Sequence, residues 1–218
     1  MTIASEQLLI FDLDGTLVDS RFDVATAINH GLQAVGFDKL PLEDIFPYIG
    51  KPLDNIYLDI LKTDDMAEAK RASAAYREFF FDNCANKSKL YDGVFETLEK
   101  LSKTFNLAVA TTKQSFMAIR VAEVLGIAPF LKSVQGTDDF PAKPDPEIIN
   151  ILLKRFSCEP ENAIMVGDTI TDIMAGQAAG VKTCAVSYGI GLVNDLNEVK
   201  PDFMVNSFRE IEGVVKSF

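Results

Sequence analysis

Asp12 and Asp14 stand one residue apart at the head of Asp12-Leu13-Asp14-Gly15-Thr16, directly after the apolar run Leu8-Leu9-Ile10-Phe11. Two carboxylates about 4 Å apart repel by roughly 4 kcal/mol at an effective dielectric of about 20, so such a pair calls for a cation or a basic partner. An Asp-Gly after a strand is by itself only a turn signal. Further along, Thr111-Thr112-Lys113, Ala142-Lys143-Pro144 and Gly167-Asp168 with Asp172 add a hydroxyl, an ammonium and two more acids. Each has an ordinary reading: Thr111 as a helix N-cap, Lys143 as a solvated loop lysine, Asp168 and Asp172 as acids opening a helix. Taken together they suit phosphoryl chemistry. A carboxylate can attack phosphorus and form an aspartyl-phosphate. Mg²⁺ takes one or two carboxylates plus water and substrate oxygens. A hydroxyl and an ammonium can hold phosphate oxygens and offset charge in the transition state.

The elements that must carry these groups follow from periodicity. Residues 8–11 read as a strand buried on both faces, as in the middle of a parallel sheet. Residues 22 to about 85 change character. Val24, Ile28, Leu32 and Val35 recur at helical spacing before Gly36, residues 41–46 read as a short helix, and 66–81 as a long one with Ala69, Ala72, Tyr76, Phe79 and Phe80 on its apolar face. That block is an all-helical insertion. From Tyr91 onward strands at 106–110, 131–135, 163–166, 181–186 and 203–205 alternate with helices, and Ser207 with Glu210 resembles a capping box on the last one. Alternation of this kind means a doubly wound parallel α/β sheet, with the core at 1–19 and 89–218 and the helical insertion at 20–88. All six chemical residues then fall at carboxyl ends of strands, where open α/β sheets bind ligands.

Composition narrows the classes. A chain of 218 residues holds one large domain, or one carrying a smaller insertion. A net charge of −11, from 21 basic and 32 acidic side chains, argues against nucleic acid and an anionic membrane surface as partners. The scattered cysteines Cys84, Cys158 and Cys184 form no CxxC pair and read as reduced thiols in a cytoplasmic protein. The first apolar run stops at Asp12, so neither a signal peptide nor a transmembrane helix is expected. His30 is the sole histidine, which nearly removes Ser-His-Asp catalysis and multi-histidine metal sites. An EF-hand reading fails: with Asp12 first, Leu17 stands where the loop needs glycine, and Asp23 stands where it needs Glu. No glycine-rich stretch ends in Gly-Lys-Ser or Gly-Lys-Thr.

At this point the chain resembles the haloacid dehalogenase superfamily, nearest its phosphoglycolate phosphatase-like branch. Phe11-Asp12-Leu13-Asp14-Gly15-Thr16-Leu17 matches the first motif, Thr111 the second, Lys143 the third, and Gly167-Asp168 with Asp172 the fourth. The resemblance implies Asp12 as nucleophile and metal ligand. It implies Asp14 as acid to the leaving alcohol, then base to the attacking water, with its backbone carbonyl on Mg²⁺. Leu13, Asp14, Thr111, Thr112 and Lys143 would hold the phosphoryl group, Asp168 would ligate Mg²⁺, and Asp172 would support it directly or through water. The helical block corresponds to a mobile cap that excludes water. In it, the loop Ile49-Gly50-Lys51-Pro52-Leu53 matches the stretch that faces substrate in related proteins, so Gly50 and Lys51 are candidates for contact with an anionic leaving group.

Asp14 sets the chain apart from the dehalogenases, which lack an acid there. Thr112 stands where the family often has Asn, and Asp92 where Pro is frequent. The expected activity is Mg²⁺-dependent hydrolysis of a small phosphorylated metabolite, phosphoglycolate being typical of the branch, by a monomer or homodimer. A β-phosphoglucomutase-like phosphomutase, a nucleotidase and a pyrophosphatase on the same fold are alternatives, and a non-catalytic phosphate-binding module is a remote one. Receiver domains share an acidic cluster, a Thr and a Lys, but their acceptor follows a later strand and no helical insertion interrupts the sheet.

Overall fold

The computed structural model describes residues 7–217. In chain order the strands are β1 (Leu8–Phe11), β2 (Val18–Asp19), β3 (Lys89–Leu90), β4 (Asn106–Thr111), β5 (Ser133–Gly136), β6 (Ala163–Gly167), β7 (Lys182–Val186) and β8 (Phe203–Val205). The helices are α1 (Arg21–Ala34), α2 (Leu42–Ile45), α3 (Leu53–Leu61), α4 (Met66–Asn83), α5 (Val94–Leu101), α6 (Ser115–Val124), α7 (Glu147–Phe156), α8 (Ile170–Ala178), α9 (Val193–Glu198) and α10 (Ile211–Ser217). The chain divides into two compact units, one running up to Asp19 and again from Leu90 onward, the other Ser20–Lys89.

The first unit is a parallel sheet in the order β5-β4-β1-β6-β7-β8. The chain moves outward to one side of β1 and then, from β6, to the other, so the reversal of direction lies beside β1. Openings of this kind at the carboxyl ends of strands are where doubly wound sheets bind ligands. All four residues of β1 are buried, as a strand with neighbours on both edges and helices on both faces requires. Leu8 and Ile10 face one way, with Ala108, Ala110, Ala163 and Met165, and pack on Ile148, Ile149, Leu152 and Leu153 of α7. On β1's other face Phe11 meets Phe208, ring centroids 5.5 Å apart. Register places Phe11 level with Val109 of β4 and Val166 of β6. The residues that follow each therefore emerge at one edge.

Element ends depart from periodicity where local chemistry intervenes. A 3₁₀ turn at Ala128–Phe130 delays β5, which begins at Ser133 rather than at 131 and runs on to Gly136. Ser207 makes no side-chain cap bond. A 3₁₀ turn, Phe208–Glu210, precedes α10, so the capping box anticipated there does not form. The short helix α9 has a single buried residue, Leu196, too weak an apolar signal for periodicity to register.

The second unit is built from α1 to α4. Gly31 of α1 lies where a side chain would overlap the Tyr57 hydroxyl, so the helix can approach α3 closely, and Tyr57 donates to the carbonyl of Ile28 at 3.1 Å. Asn29 brackets Leu40, donating to its carbonyl and accepting from its N–H, both at 2.8 Å. The buried carboxylate of Asp23 accepts from the N–H groups of Lys87 and Ser88 and from the Ser88 hydroxyl, joining the two ends of the unit. Asp65 caps α4 by accepting from Ala67 and Glu68. Of the three phenylalanines ending that helix, Phe80 is buried, Phe79 stacks on His30, and Phe81 is exposed. Lys51 pairs with Asp59 at 2.7 Å and lies over the Tyr48 ring, both within this unit. Gly50 has a φ of +101° in the turn before it.

Candidate active site

β1, β4 and β6 deliver the chemical residues to one sheet edge. Asp12 follows β1 immediately, Thr111 is the last residue of β4, and Asp168 follows β6. Lys143 comes from the loop between β5 and α7, and Asp172 from the first turn of α8. The turn after β1 is tied by Leu17 and Val18, whose N–H groups both bond the Leu13 carbonyl, and by Gly15, whose N–H bonds Val18 at 2.9 Å. Gly15 has a φ of +94°, and a side chain there would overlap the Asp168 carboxylate, so glycine is needed both for conformation and for room.

Lys143 is the hub. Its ammonium donates to Asp12 Oδ1 at 2.8 Å, to Asp172 Oδ1 at 2.5 Å and to the Ala110 carbonyl at 2.9 Å, which uses all three of its N–H donors. It is buried, not a solvated loop lysine. Asp172 opens α8, as its position suggests, and also pairs with Lys143. One oxygen takes Lys143, while the other accepts from the Thr169 N–H at 2.9 Å and the Thr169 hydroxyl at 2.6 Å in a capping box on α8. Asp168 accepts from Thr16 at 3.0 Å on one oxygen, and from the N–H groups of Ile190 at 2.7 Å and Gly191 at 3.3 Å on the other. Thr111 does not cap α6, whose N-cap is Gln114. Its hydroxyl accepts from the Lys113 N–H at 3.3 Å, and its carbonyl from the N–H and hydroxyl of Thr137. Thr112, next along, is half-buried.

Asp12, Asp168 and Asp172 can each bring one oxygen within 4.8 Å of the others. Three carboxylates and one ammonium leave a formal charge of −2 in a buried space, which suits a divalent cation. The donors are all oxygen, which favours Mg²⁺, Ca²⁺ or Mn²⁺ over metals that prefer thiolate or imidazole. Burial, reinforced by Asp172 and Asp168 and opposed by Lys143, pushes the Asp12 carboxyl up to about 8. Burial and the charge of Asp172 push Asp168 up to about 6, against the hydrogen bonds from Ile190, Thr16 and Gly191. Burial works to lower Lys143, but the charges and hydrogen bonds of Asp12 and Asp172 outweigh it and hold the ammonium above its usual range. Burial and mutual repulsion thus oppose full ionisation of this cluster when no cation is bound. With one, the carboxylates are free to ionise. The residues present fit a hard divalent ion.

The carboxylate of Asp14 lies outside that cluster. It pairs with Lys113 at 3.1 Å, both side chains buried. Lys113, Thr16 and the loop from Tyr188 to Gly191 are parts of the site that residue types alone do not reveal. Tyr188 donates to the Thr16 carbonyl at 2.8 Å, fastening this loop to the turn after β1. Their one trace in the sequence is the Gly189-Ile190-Gly191 spacing: a side chain at either glycine would overlap Asp168. Cys84, Cys158 and Cys184 are buried and form no disulfide among the described residues. No described helix is long and apolar enough to cross a membrane.

Comparison with known proteins agrees with this arrangement. The family model for haloacid dehalogenase-like hydrolases matches residues 9–186. Pyrophosphatase PpaX of Bacillus velezensis is 33% identical over 215 residues, covering 97% of both chains. A phosphoglycolate phosphatase of Vibrio parahaemolyticus is 34% identical over 226 residues, covering 99% of this chain and 98% of its own. A haloacid dehalogenase-like hydrolase from Streptococcus pneumoniae superposes with a TM-score of 0.86 at 28% identity, over 96% of this chain and 98% of its own. The match of the family model through the first, second, third and fourth motifs, on a sheet whose carboxyl edge gathers those same residues, places this chain in the haloacid dehalogenase-like hydrolase family.

Proposed function

We propose that the protein is a Mg²⁺-dependent phosphatase that hydrolyses a small phosphomonoester through a phosphoaspartate on Asp12, with phosphoglycolate-type esters as the substrate class. The observation that carries this reading is the buried cluster of Asp12, Asp168 and Asp172 around Lys143, short of two positive charges. The relatives named phosphoglycolate phosphatase support the ester. The relative named pyrophosphatase PpaX, matched over 97% of its length, favours pyrophosphate as the second reading.

One carboxylate oxygen of Asp12 attacks phosphorus while Lys143 keeps hold of Oδ1 and fixes the carboxylate's direction. As the bond from phosphorus to the leaving oxygen breaks, Asp14 gives that oxygen a proton. Asp14, now ionised, takes a proton from a water whose oxygen attacks phosphorus. The bond to Asp12 breaks, returning its carboxylate and releasing inorganic phosphate. The Thr111 hydroxyl and the N–H groups of Leu13, Asp14 and Thr112 hold the phosphoryl oxygens, while the Lys143 ammonium, its donors engaged by Asp12, Asp172 and Ala110, offsets their charge. Asp12, Asp168 and the Asp14 carbonyl would hold Mg²⁺, with Asp172, already bound by Lys143 and Thr169, supporting through water. When bound, the ion supplies charge neutralisation between carboxylates and phosphate.

The test is phosphate release from a panel holding phosphoglycolate, pyrophosphate, nucleoside monophosphates and sugar phosphates, with Mg²⁺ or with chelator, alongside Asp12→Asn. Turnover lost with chelator and in the variant supports the reading, and the ranking names the ester. Release that survives both changes sinks it. In the helical unit, Lys51 is proposed to exchange Asp59 for an anionic leaving group; an unchanged KM in Lys51→Ala removes that role.

A further inference from the structure

Two buried lysines serve this edge of the sheet, and the proposed chemistry uses one of them. Lys113 is the other. Its ammonium sits 3.1 Å from Asp14 Oδ2, with both side chains less than a tenth exposed. The backbone that carries it is bolted in place. The Lys113 N–H bonds the Thr111 hydroxyl at 3.3 Å, and its carbonyl accepts from the Thr137 N–H at 3.1 Å. Gly136 lies against that carbonyl where any side chain would overlap it. Ser115 closes the loop, donating through its N–H and hydroxyl to Asp138 at 3.0 and 2.7 Å and accepting from the Gly136 N–H at 2.8 Å. Asp14 rides on the turn after β1, and Lys113 on the turn after its hydrogen-bonded neighbour β4. An exposed pair of long side chains in this position would count for little. Burial of both side chains on two tied turns restricts the geometry of the pair.

The basic groups are thereby divided. Lys143 serves Asp12 and Asp172, and Lys113 serves Asp14, whose carboxylate lies outside the three-acid cluster. We propose that Lys113 is a positioning residue for proton transfer: by donating to Oδ2 of Asp14 it fixes the carboxyl so that the other oxygen, Oδ1, carries the proton and hands it to the leaving oxygen. This rests on the phosphatase reading above. A positioned acid contributes most where the leaving oxygen is basic, as in an alkyl phosphate, and little where it departs readily as a phenolate. The second-order constant kcat/KM covers events up to departure of the leaving group, so it isolates that step.

The experiment compares kcat/KM of wild type, Lys113→Met and Lys113→Arg on phosphoglycolate, on the phosphate of a neutral alkyl alcohol and on p-nitrophenyl phosphate, all with saturating Mg²⁺. Lys113→Met is expected to lose about 10- to 100-fold on both alkyl esters and less than about threefold on the aryl ester, within the range assigned to general acids. Lys113→Arg should recover part of the loss. In an Asp14→Asn background, Lys113→Met should cost nothing further on the alkyl esters, since the group it positions is gone. Equal loss on all three esters would mean a merely structural pair and overturn the proposal. Loss confined to phosphoglycolate would mean that Lys113 contacts the leaving group's charge, and would overturn it too. If wild type releases phosphate from none of the three, the phosphatase reading falls and this inference with it; an active wild type with an indifferent Lys113→Met sinks the inference alone.

Discussion

Replacing Asp12 with Asn should make the metal-free protein more stable while abolishing turnover. The folded-state pKa of Asp12, about 8, lies above its ordinary value of 3.8 because burial and two neighbouring carboxylates oppose its ionisation. The sign follows from linkage. Between these values the folded protein holds a proton that the unfolded chain has released, so stability falls as pH rises. The contribution is fully present below about pH 4 and lost once pH has passed about 8. At 1.36 kcal/mol per unit, the loss is roughly 3 kcal/mol at pH 6 and roughly 6 kcal/mol above pH 8. Asn keeps the shape and can still accept from Lys143, but has no charge to bury. Relaxation and water entry take a share of any buried-charge cost, so a gain of about 2–5 kcal/mol is expected at pH 8.5. For a chain of this size that is about 5–15 °C in Tm. Asp168 is common to both proteins and largely cancels, whereas Lys143 loses the charge of Asp12 in the variant and keeps only that of Asp172, which takes back part of the gain.

The assay is thermal unfolding of wild type and Asp12→Asn in chelator from pH 4.5 to 8.5. The two curves should nearly meet at the acid end and diverge upward. Saturating Mg²⁺ should then raise wild type more than the variant and close most of the gap, since an ion that binds only the folded state stabilises in proportion to its affinity. A variant no more stable than wild type at pH 8.5 in chelator would refute the reasoning, because the cluster would then not be short of positive charge.

Three more outcomes follow from the same geometry. Lys143→Met should lower the stability of the chelated protein by about 3–5 kcal/mol, read by denaturant unfolding, because Asp12 and Asp172 lose a buried partner; an effect under about 1 kcal/mol would contradict the hub described here. Mg²⁺ binding at pH 7 should release close to one proton, since Asp12 titrates near 8 and Asp168 near 6, and calorimetry in two buffers of different ionisation enthalpy measures it. Gly15→Ala should weaken Mg²⁺ affinity by about 10- to 100-fold, the usual effect of disturbing a ligand's support, because the methyl group would overlap the Asp168 carboxylate at a φ of +94°; unchanged affinity would show that Asp168 can move aside.

The doubly wound sheet is legible because β1 is four apolar residues with acids directly behind, and because each later strand of the sheet ends at, or one residue before, a polar side chain. The order β5-β4-β1-β6-β7-β8 is not, since it depends on which buried strands pair, and one apolar run looks much like another. Strand ends were readable to within two or three residues, with 3₁₀ turns accounting for the shift of β5 and for the missing cap at Ser207. α9 is not legible, because one buried leucine in six residues makes no pattern.

In the site, side chains that carry charge announce themselves and their partners do not. Asp12, Lys143, Asp168 and Asp172 are conspicuous by type, yet their meeting spans 131 residues from Asp12 to Lys143 and 29 from Lys143 to Asp172. Lys113 stands in plain view beside Thr111, but a lysine two residues past a strand is an everyday loop residue until Asp14 is seen 3.1 Å from it. The grip on Asp168 is harder still to read, because Ile190 and Gly191 act through backbone N–H groups that every residue but proline possesses. Backbone chemistry leaves a mark in the sequence only where a side chain would be in the way. At Gly15 and Gly189 that obstruction is the Asp168 side chain, and at Gly191 it is the backbone carbonyl of the same residue, so glycines in two loops far apart in the chain report one acid. A glycine standing close to a strand-end acid is therefore a better guide to the support of such a site than any further search for charged residues.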